Sequence, residues 1–231
     1  MYKLARKILT TQSKKQLYLC KINFKMVATL ERKSRIRVRT IPKIPEVLVY
    51  EILDGKPFYY KDYKKVLSKK KTFEEIIGCS TLQAEIRSYI LEILFRNTFF
   101  DDYRIYCNEI GNHIDHRNNL SNDIAIFEKS VMTPDKINTK YADVPAKVVV
   151  EIDIKADISD PEDSGYVYRK TQKLLDFGTE KVIWVFSLYG KVLIAEQGQD
   201  WITRSWDKDV ELLNGHTFNI EKHLRKEGII Q

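Results

Sequence analysis

The sequence predicts an α/β (α+β) domain, a mixed β-sheet flanked by helices, and three observations lead there. Leu82, Ile86, Ile90, Ile93 and Leu94 recur at helical spacing. From Asp102 onward the apolar pattern changes to alternating or continuously apolar runs, the mark of strands. A second helical stretch, from about Gly165 to Phe177, then stands between two such runs. With 231 residues, 43% hydrophobic and 11% aromatic, the chain can bury one full core and is not compositionally disordered.

Taken in order, Val47–Ile52 and Phe58–Tyr60 flank Asp54-Gly55, a dipeptide suited to the two left-handed positions of a tight hairpin turn, so the domain opens with a β-ribbon. Ser80-Thr81-Leu82-Gln83 has the form of a capping box and starts a buried amphipathic helix that runs to about Arg96. Strands are expected at Arg104–Asn108, Asp123–Glu128, Lys147–Lys155, Lys181–Phe186 and Lys191–Glu196. The second helix closes at Gly178, a natural C-cap. The segment holding Trp201, Trp206 and Phe218 reads as a closing piece without a predicted place.

The formal charge of +7 has a local source. Seven basic residues and no acid lie between Met1 and Leu30, and beyond them the chain is neutral. Glu31 to Lys71 still carries thirteen Lys or Arg against five acids, which leaves the rest acidic. A basic segment beside an acidic body is compatible with a phosphate-binding rim around a cation site, although solvated charge is the commoner cause. We divide the chain into a basic N-terminal extension, residues 1–40, expected to be poorly ordered over its first 25, and a single domain, 41–231. Met26-Val27-Ala28-Thr29-Leu30-Glu31 reads like a natural start, so 1–25 are open to being an extended start. No run approaches the roughly 20 apolar residues of a membrane span. Cys20, Cys79 and Cys107 form neither a CxxC pair nor a disulfide framework, and a cytoplasmic setting is expected.

The chemistry concentrates in two runs. In Lys147–Lys155 alternation after Val150 places Glu151, Asp153 and Lys155 on one face. Carboxylates two apart on a strand lie about 6.8 Å from one another and repel by roughly 2 to 2.5 kcal/mol at an effective dielectric near 20, so something positive should offset them. Lys155 can do so for Asp153, and a divalent cation could do so for both. Asp123 supplies a third acid at the start of the Asp123–Glu128 run. If the two strands are neighbours, Asp123, Glu151 and Asp153 converge as hard oxygen ligands of the kind magnesium or manganese prefers.

Asp123 followed by Asp153-Ile154-Lys155 resembles the PD-(D/E)XK nuclease pattern. More closely, Val49–Pro57, Leu120–Phe127, Val148–Asp153, and Lys170–Gly178 followed by Val182–Val185 resemble the Uma-two family of restriction-endonuclease-like proteins, also called domain of unknown function 820. The resemblance covers Val47 to Glu196, about two thirds of the chain. It implies a restriction-endonuclease-like core and a magnesium- or manganese-dependent endonuclease acting on phosphodiesters, most readily in DNA. It implies Asp123 and Glu151 as metal ligands and Asp153 as an auxiliary one. The lysine is either Lys155, in line with the strand motif, or Lys170, on the following helix. Glu85 matches the place of an accessory acid. Asn122 stands where proline is usual, and Leu174 where an aromatic residue is common.

Bland readings stand beside these: a solvated strand face for Glu151, Asp153 and Lys155, an edge aspartate for Asp123, exposed helix charges for Lys170 and Glu85, and a solvated helix for Lys61 to Lys71. A catalytically silent binding or scaffold protein on the same fold is the competing function. A homodimer would suit an enzyme cutting two strands, though no residue demands it.

Overall fold

The computed structural model describes residues 44–97 and 100–231. The expected extension, 1–40, lies outside the described residues. Pro45–Gln231 forms one compact unit. Its elements are β1 (Val49–Leu53), β2 (Lys56–Tyr59), α1 (Tyr63–Leu67), α2 (Glu74–Ile77), α3 (Thr81–Arg96), β3 (Tyr103–Asp115), β4 (Asn118–Glu128), β5 (Val148–Ile152), α4 (Tyr166–Phe177), β6 (Lys181–Phe186), β7 (Lys191–Glu196), β8 (Ile202–Ser205), β9 (Val210–Leu213), β10 (His216–Phe218) and α5 (Ile220–Lys226).

Eight strands form one mixed sheet, ordered β2-β1-β4-β5-β6-β7-β8 with β3 along the other edge of β4. Only β5 and β6 run parallel, as their connection through α4 requires. The β1–β2 turn uses Asp54 at φ 55° and Gly55 at φ 77°, the left-handed pair predicted for Asp-Gly. In α3, Ser80 Oγ accepts from Gln83 N at 3.2 Å, so the N-cap forms. The Gln83 side chain does not reach back to complete the capping box and donates instead to Ile152 O.

The sheet has a helix-covered core on each face. On one, Ile124, Ile126, Val148, Val150, Ile183 and Val185 pack with Ile86, Ile90 and Leu94 of α3 and Leu224 of α5. On the other, Ala125, Val149, Val182 and Trp184 pack with Tyr166, Leu174 and Leu175 of α4 and with Leu53 and Phe58 of the hairpin. Burying a Val, Leu or Ile side chain contributes about 1.5 to 3 kcal/mol, which accounts for the continuous apolar runs of β5 and β6. The aliphatic Leu174, at a position where an aromatic is common, is fully buried in this second core. The unplaced C-terminal segment becomes β8, the β9–β10 ribbon and α5.

One detail of topology positions the site. Strand β4 pairs with β1 only at Asn119, through Ile52, and with β5 only from Ile124 to Ile126. Between those pairings, from Leu120 to Asp123, the same edge of β4 faces a fork where β1 and β5 diverge.

Candidate active site

At the fork side chains replace the missing ladder. Glu51 Oε2 accepts from Ser121 N at 3.2 Å, and Lys170 Nζ donates to Ser121 O at 2.6 Å. Asp123 Oδ2 accepts from Ile152 N at 2.8 Å. Buried backbone groups need partners, so a sequence that opens a sheet here must supply charged side chains to fill the gap.

One register step beyond the Ile124–Val150 pair, Asp123 and Glu151 lie opposite each other on adjacent strands. Alternation points both to the face that α4 covers, because their neighbours Ala125 and Val149 belong to that core. Asp123 is 2% exposed and Glu151 1%. Lys170 descends from α4 with no exposure at all and meets Glu51 Oε2 at 2.9 Å and Glu151 Oε1 at 3.1 Å. The second contact has ion-pair distance without hydrogen-bond direction, and the buried Oε1 of Glu151 accepts no hydrogen bond. Tyr166 Oη donates to the other oxygen of Glu51, and the rings of Tyr50, Tyr166 and Trp184 lie 5.6 to 5.9 Å from the Lys170 amine.

Burial pushes the Glu151 carboxyl up to about 8. The Lys170 ammonium opposes that shift, and Asp123 and Glu51 add to it. Lys170 itself is held above the ordinary lysine range: burial favours the neutral amine, but Glu151 and Glu51 outweigh it. The Tyr50 phenol is raised well above its ordinary value, mainly by burial and then by Glu151 and Glu51. At neutral pH the cluster therefore holds Lys170 charged, Tyr50 neutral and a proton on Glu151.

Lys155 approaches from the loop after β5. Its amine bonds Asp123 Oδ1 at 2.9 Å and Glu109 Oε1 at 2.7 Å, and it is raised because these two carboxylates outweigh its desolvation. Glu109 is aimed there by a bulge in β3 in which Asn108 and Glu109 have φ of 73° and 58°. Left-handed non-glycine residues cost on the order of 1 to 3 kcal/mol each, and bulges of this kind re-aim side chains beside sites. Lys155 and Glu109 keep 13% and 27% side-chain exposure, so solvent reaches the cluster past them.

Two expectations need correcting. Glu151, Asp153 and Lys155 do not share a strand face, because β5 ends at Ile152 and Asp153 turns left-handed at φ 59°. The Asp153 carboxylate accepts from Ser187 N at 2.7 Å and Ser187 Oγ at 2.6 Å, on the β6 side of β5, whereas Asp123 lies on the β4 side. Glu85 bonds His223 Nε2 at 2.8 Å on the face away from α4. The α3 side chain that hydrogen-bonds β5 is Gln83, through Ile152 O. Asn122, where proline is usual, is fully buried and donates to Asn112 Oδ1 at 2.6 Å.

The structure thus brings Asp123, Glu151, Lys155 and Lys170 together and leaves Asp153 and Glu85 to other partners. Glu51 and Glu109 were not singled out from the sequence. Glu51 lies in an ordinary-looking hairpin, and only a bulge invisible in the apolar pattern directs Glu109 inward. A surface cavity of about 420 Å³, lined by residues such as Lys181, Glu196, Arg204 and Glu211, holds none of these acids.

Among the described residues no three His, Cys, Asp or Glu side chains form a ready-made metal-ligand group. The donor set still suits a hard cation. Asp123 and Glu151, buried on one face of adjacent strands, match magnesium, which takes one or two carboxylates and keeps several waters, although Lys170 lies 3.1 Å from Glu151 Oε1 and Lys155 2.9 Å from Asp123 Oδ1.

Among solved structures, the chain is similar to one from Anabaena variabilis described as "a putative nuclease belonging to DUF820", with a TM-score of 0.54, 14% identity, and coverage of 74% of this chain and 87% of that one. The protein shares that fold. The restriction-endonuclease-like core expected from the resemblance, a large mixed sheet flanked by helices, is therefore present. No protein-family model matches the chain, and no curated protein matches it in sequence. Among the described residues no helix is long and apolar enough to cross a membrane.

Proposed function

We propose that this protein is a cation-dependent nuclease that hydrolyses phosphodiester bonds, with DNA as its substrate, at the fork between β1, β4 and β5. One observation carries the reading: Asp123 and Glu151, from adjacent strands, are both buried beside two lysine amines, Lys155 at 2.9 Å from Asp123 and Lys170 at 3.1 Å from Glu151. The fold shared with a protein described as a nuclease supports it.

Asp123 and Glu151 would hold a magnesium or manganese ion, which when bound lowers the pKa of a water and offsets charge on the phosphate. The residues of the chain divide the remaining work. Asp123, fixed by Ile152 N through one oxygen, presents the other toward the mouth of the site. Glu151 would have to give up its proton to serve as a ligand, which would link cation binding to proton release. Lys155, the partly exposed amine, is placed to meet a phosphate oxygen and steady the charge that develops there. Lys170, fully buried, acts as a positioning residue that holds Glu51, Ser121 O and Glu151 in register.

The second reading is a catalytically silent protein on the nuclease fold. It is favoured by the pairing of Lys155 with Asp123 and of Lys170 with Glu51, which already offsets charge without a metal. Plasmid and single-stranded DNA incubated with magnesium or manganese separate the two. The nuclease reading expects cleavage that Asp123→Ala and Glu151→Ala each lower by at least about a hundredfold. Cleavage persisting in both variants would remove these residues from the mechanism, and failure to bind a divalent cation by calorimetry would support the silent protein.

A further inference from the structure

The segment from Tyr59 to Lys71 carries six lysines and one acid. It is tied by its backbone to the loop that presents Lys155. Lys61 N donates to Lys155 O at 2.7 Å, Asp157 N donates to Tyr59 O at 2.7 Å, and Tyr60 bridges to Ala156. The segment is therefore fixed beside the mouth of the acid cluster. Helix α1 rises only about 7.5 Å over its five residues, so Lys69 and Lys70 follow Lys61 after a short span.

Half of these lysines are already committed. Asp62 takes Lys65 at 2.9 Å and Lys71 at 2.8 Å, and Lys64 bonds Ser159 and lies 3.7 Å from Asp157. Glu74 and Glu75 of α2 hydrogen-bond Thr72, and no ion pair joins them to the other lysines among the described residues. Lys61, Lys69 and Lys70 remain, all exposed and, among the described residues, without an ion pair. Lys69 sits at φ 57°, and Lys70 N turns back to Lys65 O at 2.8 Å, which folds the chain end against α1. A net charge of five over thirteen residues at the entrance of a site that is itself rich in acids is the arrangement expected for gathering a polyanion that the acids alone would repel.

We propose that Lys61, Lys69 and Lys70 form a phosphate-binding track that seats the sugar-phosphate backbone of the substrate strand and leads it to Lys155. This rests on the nuclease reading for its substrate, although its test measures binding and not cleavage. Each phosphate contact with duplex DNA releases about 0.9 counterion, so removing three should lower the slope of log affinity against log salt by about 2 to 3 and weaken binding on the order of a hundredfold at 0.1 M salt.

The experiment is fluorescence anisotropy of the full chain with a labelled 20-base-pair duplex and with its single strand, in calcium without magnesium, over a range of salt concentrations. The triple variant Lys61→Ala, Lys69→Ala, Lys70→Ala should show the flattened slope and the lost affinity. A charge-matched control on the opposite face, Lys222→Ala, Arg225→Ala, Lys226→Ala, should stay close to wild type. Equal losses in both triples would reduce the track to net charge and overturn it, as would wild-type slope and affinity in the first triple or no binding of either DNA by the wild-type chain. Asp123→Asn separates the two proposals. If it cleaves at the wild-type rate while the lysine triple still fails to bind, the chemistry proposed for the acids falls and the track stands.

Discussion

Replacing Glu151 by glutamine should change how stability depends on pH. The carboxyl has an ordinary value of 4.5 and is raised to about 8 in the fold, chiefly by burial. Between those values the native state binds a proton that the unfolded state has released, so stability falls as pH rises. The contribution is fully present below pH 4.5, is lost progressively across the window, and is exhausted above about 8. Each unit is worth about 1.4 kcal/mol, so between pH 6 and pH 8 the wild type should lose about 2 kcal/mol that the Glu151→Gln variant, uncharged at this position, does not. For a folded unit of this size that is a relative fall in melting temperature of about 4 to 8 °C. Glutamine is close in shape to the protonated acid, and comparison at each pH cancels the titrating groups that do not interact with Glu151. The assay is thermal or urea unfolding of both proteins from pH 5 to 9 without divalent cation. Parallel curves would refute the placement of Glu151 as a buried, protonated carboxyl.

Three further outcomes follow from the same geometry. Lys170→Met should destabilise the protein by about 3 to 5 kcal/mol, because it leaves Glu51 buried without its ammonium, and adding Glu51→Leu should recover part of that loss in urea unfolding. Asp153→Ala should cost about 1 to 3 kcal/mol through the lost bonds to Ser187 while leaving divalent-cation affinity within a fewfold of wild type by calorimetry. Proton uptake or release measured during manganese titration at pH 7 should show about one proton released per ion in the wild type and none in Glu151→Gln.

Much of the fold was legible because its elements depend on local pattern. The apolar runs of β6 and β7 set their limits at Lys181–Phe186 and Lys191–Glu196, and Asp-Gly and Gly178 sit at positions whose left-handed backbone selects them. The facing of Asp123 and Glu151 was legible only as far as two strands of the right parity can be read, since adjacency in a sheet is not written in either run. Asp153 was misread because alternation assumes that a strand continues, whereas β5 stops at Ile152 and Ser187, thirty-four residues on, captures the carboxylate. Glu51 escaped notice for a related reason. Its role comes from the fork between β1 and β5, which leaves Ser121 without a ladder partner on that edge of β4, and a fork is a property of three strands together. Glu85 and Gln83 show the limit of helical spacing: two residues apart on α3, one bonds His223 of α5 and the other the end of β5.

The central claim is that Asp123 and Glu151 share one hard cation. A crystal soaked in manganese and measured by anomalous diffraction tests it most directly. The account predicts a single strong anomalous peak at about 2.0 to 2.6 Å from an oxygen of each carboxylate, with Lys155 moved off Asp123 Oδ1. A peak bound elsewhere in the molecule, or none at a manganese concentration that supports DNA cleavage, would contradict it.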